Sequence, residues 1–308
     1  MTVSKYWIAL DQVSGIGPAH LITLHKALRE RDLSIADIFF LEPGEIRNEF
    51  DLPEKTVDSF PAARSVLSRI ENDYLKLLES GVETLLFFED LYPPRLTSIL
   101  KNQLPPILYL FGNREILKKR GAAVLGDRNV SEKGSLISYL AAKKLCSHNI
   151  AVISGFARGA DIIAHRSALE NNGNTIAVLP HGMLNLSMPE SFAPVFDPSR
   201  TLFVSPFPPS MEYSPYNSLS RNKIIAALSY AVFIVEAPVE SGIFEAGKST
   251  RDTGTPLYVT QYSQYPDSAA GNTRLIQEFG GIPVRGRMEQ DRLVPNLEKL
   301  IGSVKFAD

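Results

Sequence analysis

Six short apolar runs constrain this chain more than any other feature: GAAVLG (121–126), IAVIS (150–154), TIAVL (175–179), TLFVS (201–205), AVFIVE (231–236) and PLYVT (256–260). Each has the length of a strand and is apolar without alternation, which marks a strand buried on both faces. Helical segments at 133–148, 159–172, 219–229 and 242–254 separate most of them, and 180–200 has room for only a short helix. Strands alternating with helices in this way build a parallel sheet covered on both sides. The expected fold class is therefore α/β, a doubly wound, mostly parallel, Rossmann-like sheet with a smaller helical N-terminal domain.

At 308 residues the chain is long enough for two domains. Residues 1–84 form the helical domain, with amphipathic runs such as AHLITLHKALRE and VLSRIENDYLKLLESG. Within it VSGIGPAHL (13–21) has the glycine-rich turn of helix-hairpin-helix modules, whose backbone amides can meet a DNA phosphate. The same turn equally suits a plain connection between helices. Prolines 93–94 and 105–106 punctuate an extended, turn-rich connector over 85–115. The sheet domain follows over 116–285, and 286–308 is a short charged tail with one helix at most.

The formal net charge of -2 excludes a polycationic surface, so any nucleic-acid contact must come from a local basic patch. The single cysteine, Cys146, excludes an intramolecular disulfide framework and a thiolate metal cluster, and its apolar helical setting (LAAKKLC) suits a buried inert thiol. MTVSKYWIAL is too short and too quickly polar for a signal peptide, and no apolar run approaches the ~20 residues of a membrane span. A cytoplasmic location is expected.

In a doubly wound sheet, ligands sit outside the carboxyl ends of the strands. Here the first strand is followed by Gly126-Asp127-Arg128, then Ser131 and Gly134, and the second by Ser154-Gly155-Phe156-Ala157-Arg158-Gly159. The third leads into Pro180-His181-Gly182. The fifth ends at Glu236 and leads to Ser241-Gly242, and Ser220-Arg221-Asn222-Lys223 opens the helix before it. Small residues let helix N-terminal amides approach an anion, and arginine adds a bidentate charge. The candidate phosphate-binding residues are Gly126, Arg128, Ser131, Ser154, Gly155, Arg158, Gly159, Arg221, Asn222, Lys223, Ser241 and Gly242. Asp161 and His165, four apart on one helix face, are able to bond each other, but no third group or nucleophile accompanies them. Asp161 suits capping of the first helical turn and His165 a hydrogen-bonded place at the core edge. No catalytic residue, metal ligand set or cofactor is expected.

GIFEAGKS (242–249) matches the phosphate loop of NTPases, which would make Lys248 a phosphate ligand and Ser249 a magnesium ligand. The next strand, however, ends in Thr260-Gln261 without an aspartate for magnesium, and 242–254 also suits a plain helix packed on the sheet.

GDRNVSEKG, SGFARGADIIAHRSAL, TIAVLPHGMLNLSMPE, RNKIIAALSYAVFIVEA, the Ser-Gly at 241–242 and GNTRLIQEFGG occur in the order and spacing of the DprA/Smf family, which the chain resembles over roughly 90–285. YPPRLTSILKNQLPPILYLFGN is similar to that family's approach to its Rossmann domain. The resemblance implies a single-stranded-DNA-binding protein without catalytic turnover, one that protects DNA in natural transformation and recombination and loads a RecA-type recombinase. It implies a homodimer formed through the Rossmann domain. By motif, Gly126 and Arg128 would hold phosphate, Arg158 would supply the basic residue of the second loop, and Arg221, Asn222 and Lys223 correspond to the family's Arg-Asn-Arg.

The chain departs from the family at Asp127 (usually Ser), Ser218-Leu219 (Phe-Pro), Ile243 (Ser) and Thr260-Gln261-Tyr262 (Val-Pro-Gly), and no winged-helix domain is expected at its end. These departures bear on the transformation role. They leave open a regulator, antitoxin or nucleotide sensor beside a toxin in a phage-defence module. They also leave open a nucleotide-processing enzyme of the wider superfamily with Glu245 as its carboxylate, although Glu245 equally suits the helix dipole.

Overall fold

The computed structural model of the chain describes residues 3–289 and 292–307. Helices α1 (Ser4–Asp11) and α2 (Pro18–Arg29) are joined by a turn in which Gly15 takes φ 86° and Pro18 occupies the first helical position. The Gly17 amide, one of those a phosphate would meet in a helix-hairpin-helix, donates to His20 Nδ1 at 3.3 Å. After α3 (Ile35–Ile38) and α4 (Pro43–Glu49) comes α5 (Glu54–Glu79). Val57, Phe60, Ala63, Ile70 and Leu77 recur on it every three or seven residues and are all buried.

The sheet begins earlier than the apolar runs suggest. Strand β1 (Val82–Leu86), helix α6 (Pro94–Leu100) and strand β2 (Ile107–Gly112) all fall in or beside the segment expected as an extended connector. Its prolines punctuate these elements rather than prevent them: Pro94 opens α6, where a missing amide costs nothing, and β2 starts directly after Pro106. Then follow β3 (Gly121–Leu125), α7 (Glu132–Cys146), β4 (Ala151–Ser154), α8 (Ala160–Glu170), β5 (Thr175–Val178) and β6 (Thr201–Ser205). The second half comprises α9 (Pro215–Leu228), β7 (Ala231–Ile234), α10 (Gly242–Thr253), β8 (Leu257–Thr260), α11 (Asn272–Glu278) and β9 (Ile282–Val284). The tail adds an antiparallel hairpin, β10 (Gly286–Glu289) with β11 (Arg292–Pro295), and α12 (Glu298–Lys305).

Among the described residues nine strands form one sheet in the order β1-β2-β6-β5-β4-β3-β7-β8-β9. All pairs from β6 to β9 are parallel, while β1–β2 and β2–β6 are antiparallel. The fold is thus the α/β, mostly parallel, Rossmann-like class. Helices α9, α10 and α11 cover one face around Leu125, Ile153 and Ile234, and α7, α8 and α12 the other around Val124, Val152 and Phe233. The helical part is fused to the sheet, because one buried cluster runs from Trp7, Leu24 and Phe60 to Ile162 of α8 and Phe203 of β6.

The chain winds from β3 through β4 and β5 to β6 in one direction, and from β7 through β8 to β9 in the other. The winding therefore reverses between β3 and β7, where the connections to the next helices diverge and leave a crevice at the carboxyl ends. Among the described residues no helix is long and apolar enough to cross a membrane.

Candidate functional site

Two loops meet at that crevice. The first leaves β3 at Gly126, where a methyl group would stand 2.6 Å from Ala160 Cβ at the head of α8. The Asp127 amide donates to Glu236 O (2.9 Å), and Asp127 Oδ1 accepts from the Asn129 amide (2.7 Å). The carboxylate that departs from the family pattern thus holds its own turn. The second loop crosses beneath the first. Gly159 takes φ 87°, and a Cβ on it would meet Asp127 O at 2.5 Å and Arg128 O at 2.6 Å, so only glycine lets the loops touch. Phe156 has φ 62°, unusual for an aromatic residue, and its ring is gripped edge-on by Phe192 and Phe203, each 5.0 Å away between centroids.

The floor is Arg221. It projects from α9, is only 4% exposed, and donates from Nη1 to Val178 O at 2.9 Å. Its buried Nε meets no acceptor among the described residues. A Cβ on Gly155 would fall 1.7 Å from its Nη1, so the glycine of the second loop is the opening through which the guanidinium passes. Burial lowers the Arg221 pKa to about 10, with Asp161 opposing, and the group remains cationic at neutral pH. Asp161 Oδ2 accepts from the amides of Gly155 (3.2 Å) and Ala157 (3.4 Å). Burial pushes its carboxyl upward, against the Arg221 charge and these amides.

Two adjoining cavities open above this floor and share Arg128, Ala157, Tyr213 and Arg221. One, of about 400 Å³, lies at the ends of β3 and β7 and takes in Gly126, Asn222, Ser241 and Gly242. The other, of about 330 Å³, lies at the ends of β4 and β5 and takes in Gly155, Phe156, Arg158 and His181. Arg128 donates to the Tyr213 hydroxyl (3.1 Å), and Arg158 donates to Asn129 Oδ1 (3.0 Å). Both arginines are exposed, and neither forms an ion pair among the described residues. Three cations over a rim carrying Phe156 and Tyr213, with Asp127, Asp161, Glu240 and Glu245 also on the lining of the larger cavity, suit an anion with flat apolar parts held toward the arginine side.

Not every candidate residue joins them. Lys223 faces outward from α9, in a neighbouring cavity that takes in Lys248 and shares Leu219 and Glu245 with the larger arginine cavity, because two residues along a helix turn a side chain most of the way to the opposite face. Ser154 Oγ is buried and donates to Val124 O at 2.7 Å. Ser131 Oγ accepts from the Gly134 amide as the cap of α7 and donates to Glu236 Oε1 at 2.6 Å. Ser241 caps α10 through the Phe244 amide, and Asn222 ties α9 to Gly242 O. These last two line the cavity but hold its walls together. Tyr213, which no motif singled out, belongs to the site. Its signal is an aromatic on the proline-rich loop before α9, 49% exposed.

Glu236, fully buried beyond β7, gathers what surrounds the first loop. Its carboxylate accepts from the Ser131 amide (2.8 Å), Ser131 Oγ (2.6 Å), the Tyr262 hydroxyl (2.7 Å) and Ser268 Oγ (2.7 Å). One side chain thereby fixes the start of α7 and the segment after β8.

His165 is fully buried and does not bond Asp161. The Thr175 hydroxyl gives its one proton to Val152 O, so His165 donates to Thr175 Oγ1 (2.6 Å) from a protonated Nδ1. Burial, helped by the Arg221 charge, holds its pKa down at about 3. The unfolded chain takes up this proton near pH 6.5 and the folded chain near 3, so the stability His165 contributes is complete above 6.5 and is lost as pH falls toward 3. Urea titrations of wild type and His165→Asn should diverge in pH dependence across that window by up to about 1.4 kcal/mol per pH unit. Asp161, shifted upward, acts in the opposite direction in both proteins and cancels in the difference. Parallel profiles would refute the buried neutral imidazole.

GIFEAGKS lies wholly within α10. Lys248 Nζ pairs with Glu245 Oε1 (2.9 Å) and Ser249 Oγ donates to Ala246 O (2.8 Å), the arrangement of a helix surface and not of a phosphate loop. Among the described residues no group of His, Cys, Asp and Glu is placed to hold a metal ion.

Residues 83–285 match the family model of DNA recombination-mediator protein A. The chain is 26% identical to protein Smf of Synechocystis over 317 residues, covering 94% of this chain and 76% of that protein. It is 27% identical to DNA processing protein DprA of Bacillus subtilis, covering 72% and 77%. Among solved structures, DprA of Streptococcus pneumoniae superposes with a TM-score of 0.73 at 24% identity, over 92% of this chain and 95% of that one. DprA of Helicobacter pylori, whose structure concerns its single-stranded-DNA binding mode, gives 0.56 at 24% identity over 66% and 90%.

Proposed function

Because the chain belongs to the DNA recombination-mediator protein A family, we propose that its crevice binds single-stranded DNA, with backbone phosphates on Arg128, Arg158 and Arg221 and bases against Tyr213 and Phe156. The observation that carries this is the meeting of three arginines on two adjoining cavities at the reversal of strand order, two of them exposed without an acidic partner among the described residues. Phosphate charge with stacking surfaces is how sequence-tolerant single-strand binding works. Gly126, Gly155 and Gly159 act by letting the loops approach, while Asn222, Ser241 and Gly242 shape the wall. The protein acts by holding DNA rather than by turning over a substrate. Protection of the strand, delivery to a RecA-type recombinase and pairing of two copies through the sheet domain are the roles that family membership supports.

Fluorescence anisotropy with single-stranded oligonucleotides at several salt concentrations tests the reading. Arg128→Ala and Arg158→Ala should each weaken binding and reduce the slope of log affinity against log salt by about 0.7, the value of one single-strand phosphate contact. Unchanged affinity in both variants would overturn it.

A further inference from the structure

Strands β8 and β9 end at the same carboxyl edge, beyond Glu236 from Arg128. Their ends, the first turn of α7 and the β10–β11 hairpin enclose another cavity, the third along this edge, of about 330 Å³. A volume of that size falls in the range of small-molecule sites. Lys133 and Arg285 line it as cations, and neither forms an ion pair among the described residues. Lys133 Nζ stands 5.3 Å from the centroid of the Tyr262 ring, and Arg285 Nε donates to Gln261 Oε1 at 2.7 Å. Ile137, Val284 and Leu293 supply an apolar wall.

The cavity is held by the same carboxylate as the first loop. Tyr262, on its wall, donates to Glu236, and Glu236 also holds Ser131, two residues before Lys133. Two strand spacings separate the ends of β8–β9 from those of β3–β7, or about 10 Å along the edge. Two cations, an aromatic ring and an apolar wall so close to the nearer arginine cavity match the chemistry of a nucleotide, with its phosphate on one side and its base and sugar on the other.

We propose that this cavity is a further nucleotide subsite, with phosphate held between Lys133 and Arg285 and the sugar and base set against Tyr262, Ile137 and Leu293. Where its occupant is the next stretch of a bound strand, the inference rests on the single-strand reading of the arginine crevice. A free mononucleotide is the other source of the same chemistry.

The test uses the full chain and the double variant Lys133→Ala/Arg285→Ala, with oligothymidylates of about 4 to 16 nucleotides and with thymidine monophosphate. The shortest oligomers should bind the variant as they bind wild type. The longest should bind it roughly fivefold to tenfold more weakly, with a salt slope reduced by about 1.4, or 0.7 for each lost cation. Arg128→Ala should weaken every length, so failure of the crevice and failure of the third cavity give different patterns. Saturable binding of the monophosphate that is lost in the double variant while oligomers are unaffected would assign the subsite to the free nucleotide. Charge reversal, Lys133→Glu/Arg285→Glu, should exaggerate whichever effect appears. Both variants matching wild type for oligomers of all lengths and for the monophosphate would overturn the proposal.

Discussion

Glu236→Ala should lower the free energy of unfolding by about 3–5 kcal/mol, the scale of several buried donors left without their acceptor. The carboxylate is fully buried and takes four hydrogen bonds, from the Ser131 amide and hydroxyl, Tyr262 and Ser268. Its removal leaves these donors facing a void, and each unsatisfied buried donor costs about 1–3 kcal/mol where water does not reach it. Partial relaxation keeps the total below their sum. Glu236→Gln separates shape from acceptor capacity. Glutamine fills the same space, but its NH2 would point at hydroxyls now donating to a carboxylate oxygen, so it should recover only part of the loss. Urea denaturation gives the values, and a Glu236→Gln protein as stable as wild type would show that volume, not charge, matters there. The loop from Gly126 to Ser131 is tied to Glu236 through both its ends, by the Asp127 amide and by Ser131. Glu236→Ala keeps the carbonyl that holds the Asp127 amide but frees the Ser131 end, so it should also weaken binding of DNA at Arg128, in whatever fraction remains folded.

The sheet was legible in the sequence where strands are buried on both faces. GAAVLG and AVFIV, for instance, are apolar throughout because helices cover both sides of β3 and β7. VETLL and ILYLFG escaped the same reading for physical reasons. The first is amphipathic and the second follows Pro105-Pro106, and both lie in the antiparallel extension of the sheet, whose pairing no crossover helix announces. At the site, the glycines and Arg128 and Arg158 were legible because loop composition at strand ends reports close approach and charge. What a hydroxyl or a helix residue faces is not written in its neighbours. Ser131 and Ser154 look like phosphate ligands until their bonds to Glu236 and Val124 are seen. Arg221 and Lys223 look like one basic cluster until α9 turns one into the floor and the other to the outside. The burial of Arg221 has only an indirect trace in the sequence, the glycine at 155 that makes room for it.

That relation supports the second large effect. Arg221→Met should keep the stem's packing, remove the central cation, and weaken oligonucleotide binding at least tenfold, or about 1.4 kcal/mol. It should also leave Asp161 buried without its opposing charge, so the Asp161 carboxyl moves further upward. A carboxyl with a raised folded-state pKa loses stability as pH rises past its unfolded value of about 3.9, so the deficit of Arg221→Met should grow from acid toward neutral pH. Gly155→Ala reaches the same floor from the other side. Its Cβ would lie 1.7 Å from Arg221 Nη1, so the guanidinium must leave Val178 O, or the loop must move and break the amide bonds to Asp161. Either way DNA affinity should fall about as far as in Arg221→Met, with about 1–3 kcal/mol of overpacking added to the stability loss. The two effects share one cause and should not add. Once Arg221→Met has replaced the guanidinium, the alanine methyl has a flexible thioether to push against, and the double variant should be more stable than the sum of the single losses by about 1 kcal/mol or more. Additive losses in that cycle would mean that Gly155 is required by its own backbone and not by the arginine that passes beside it.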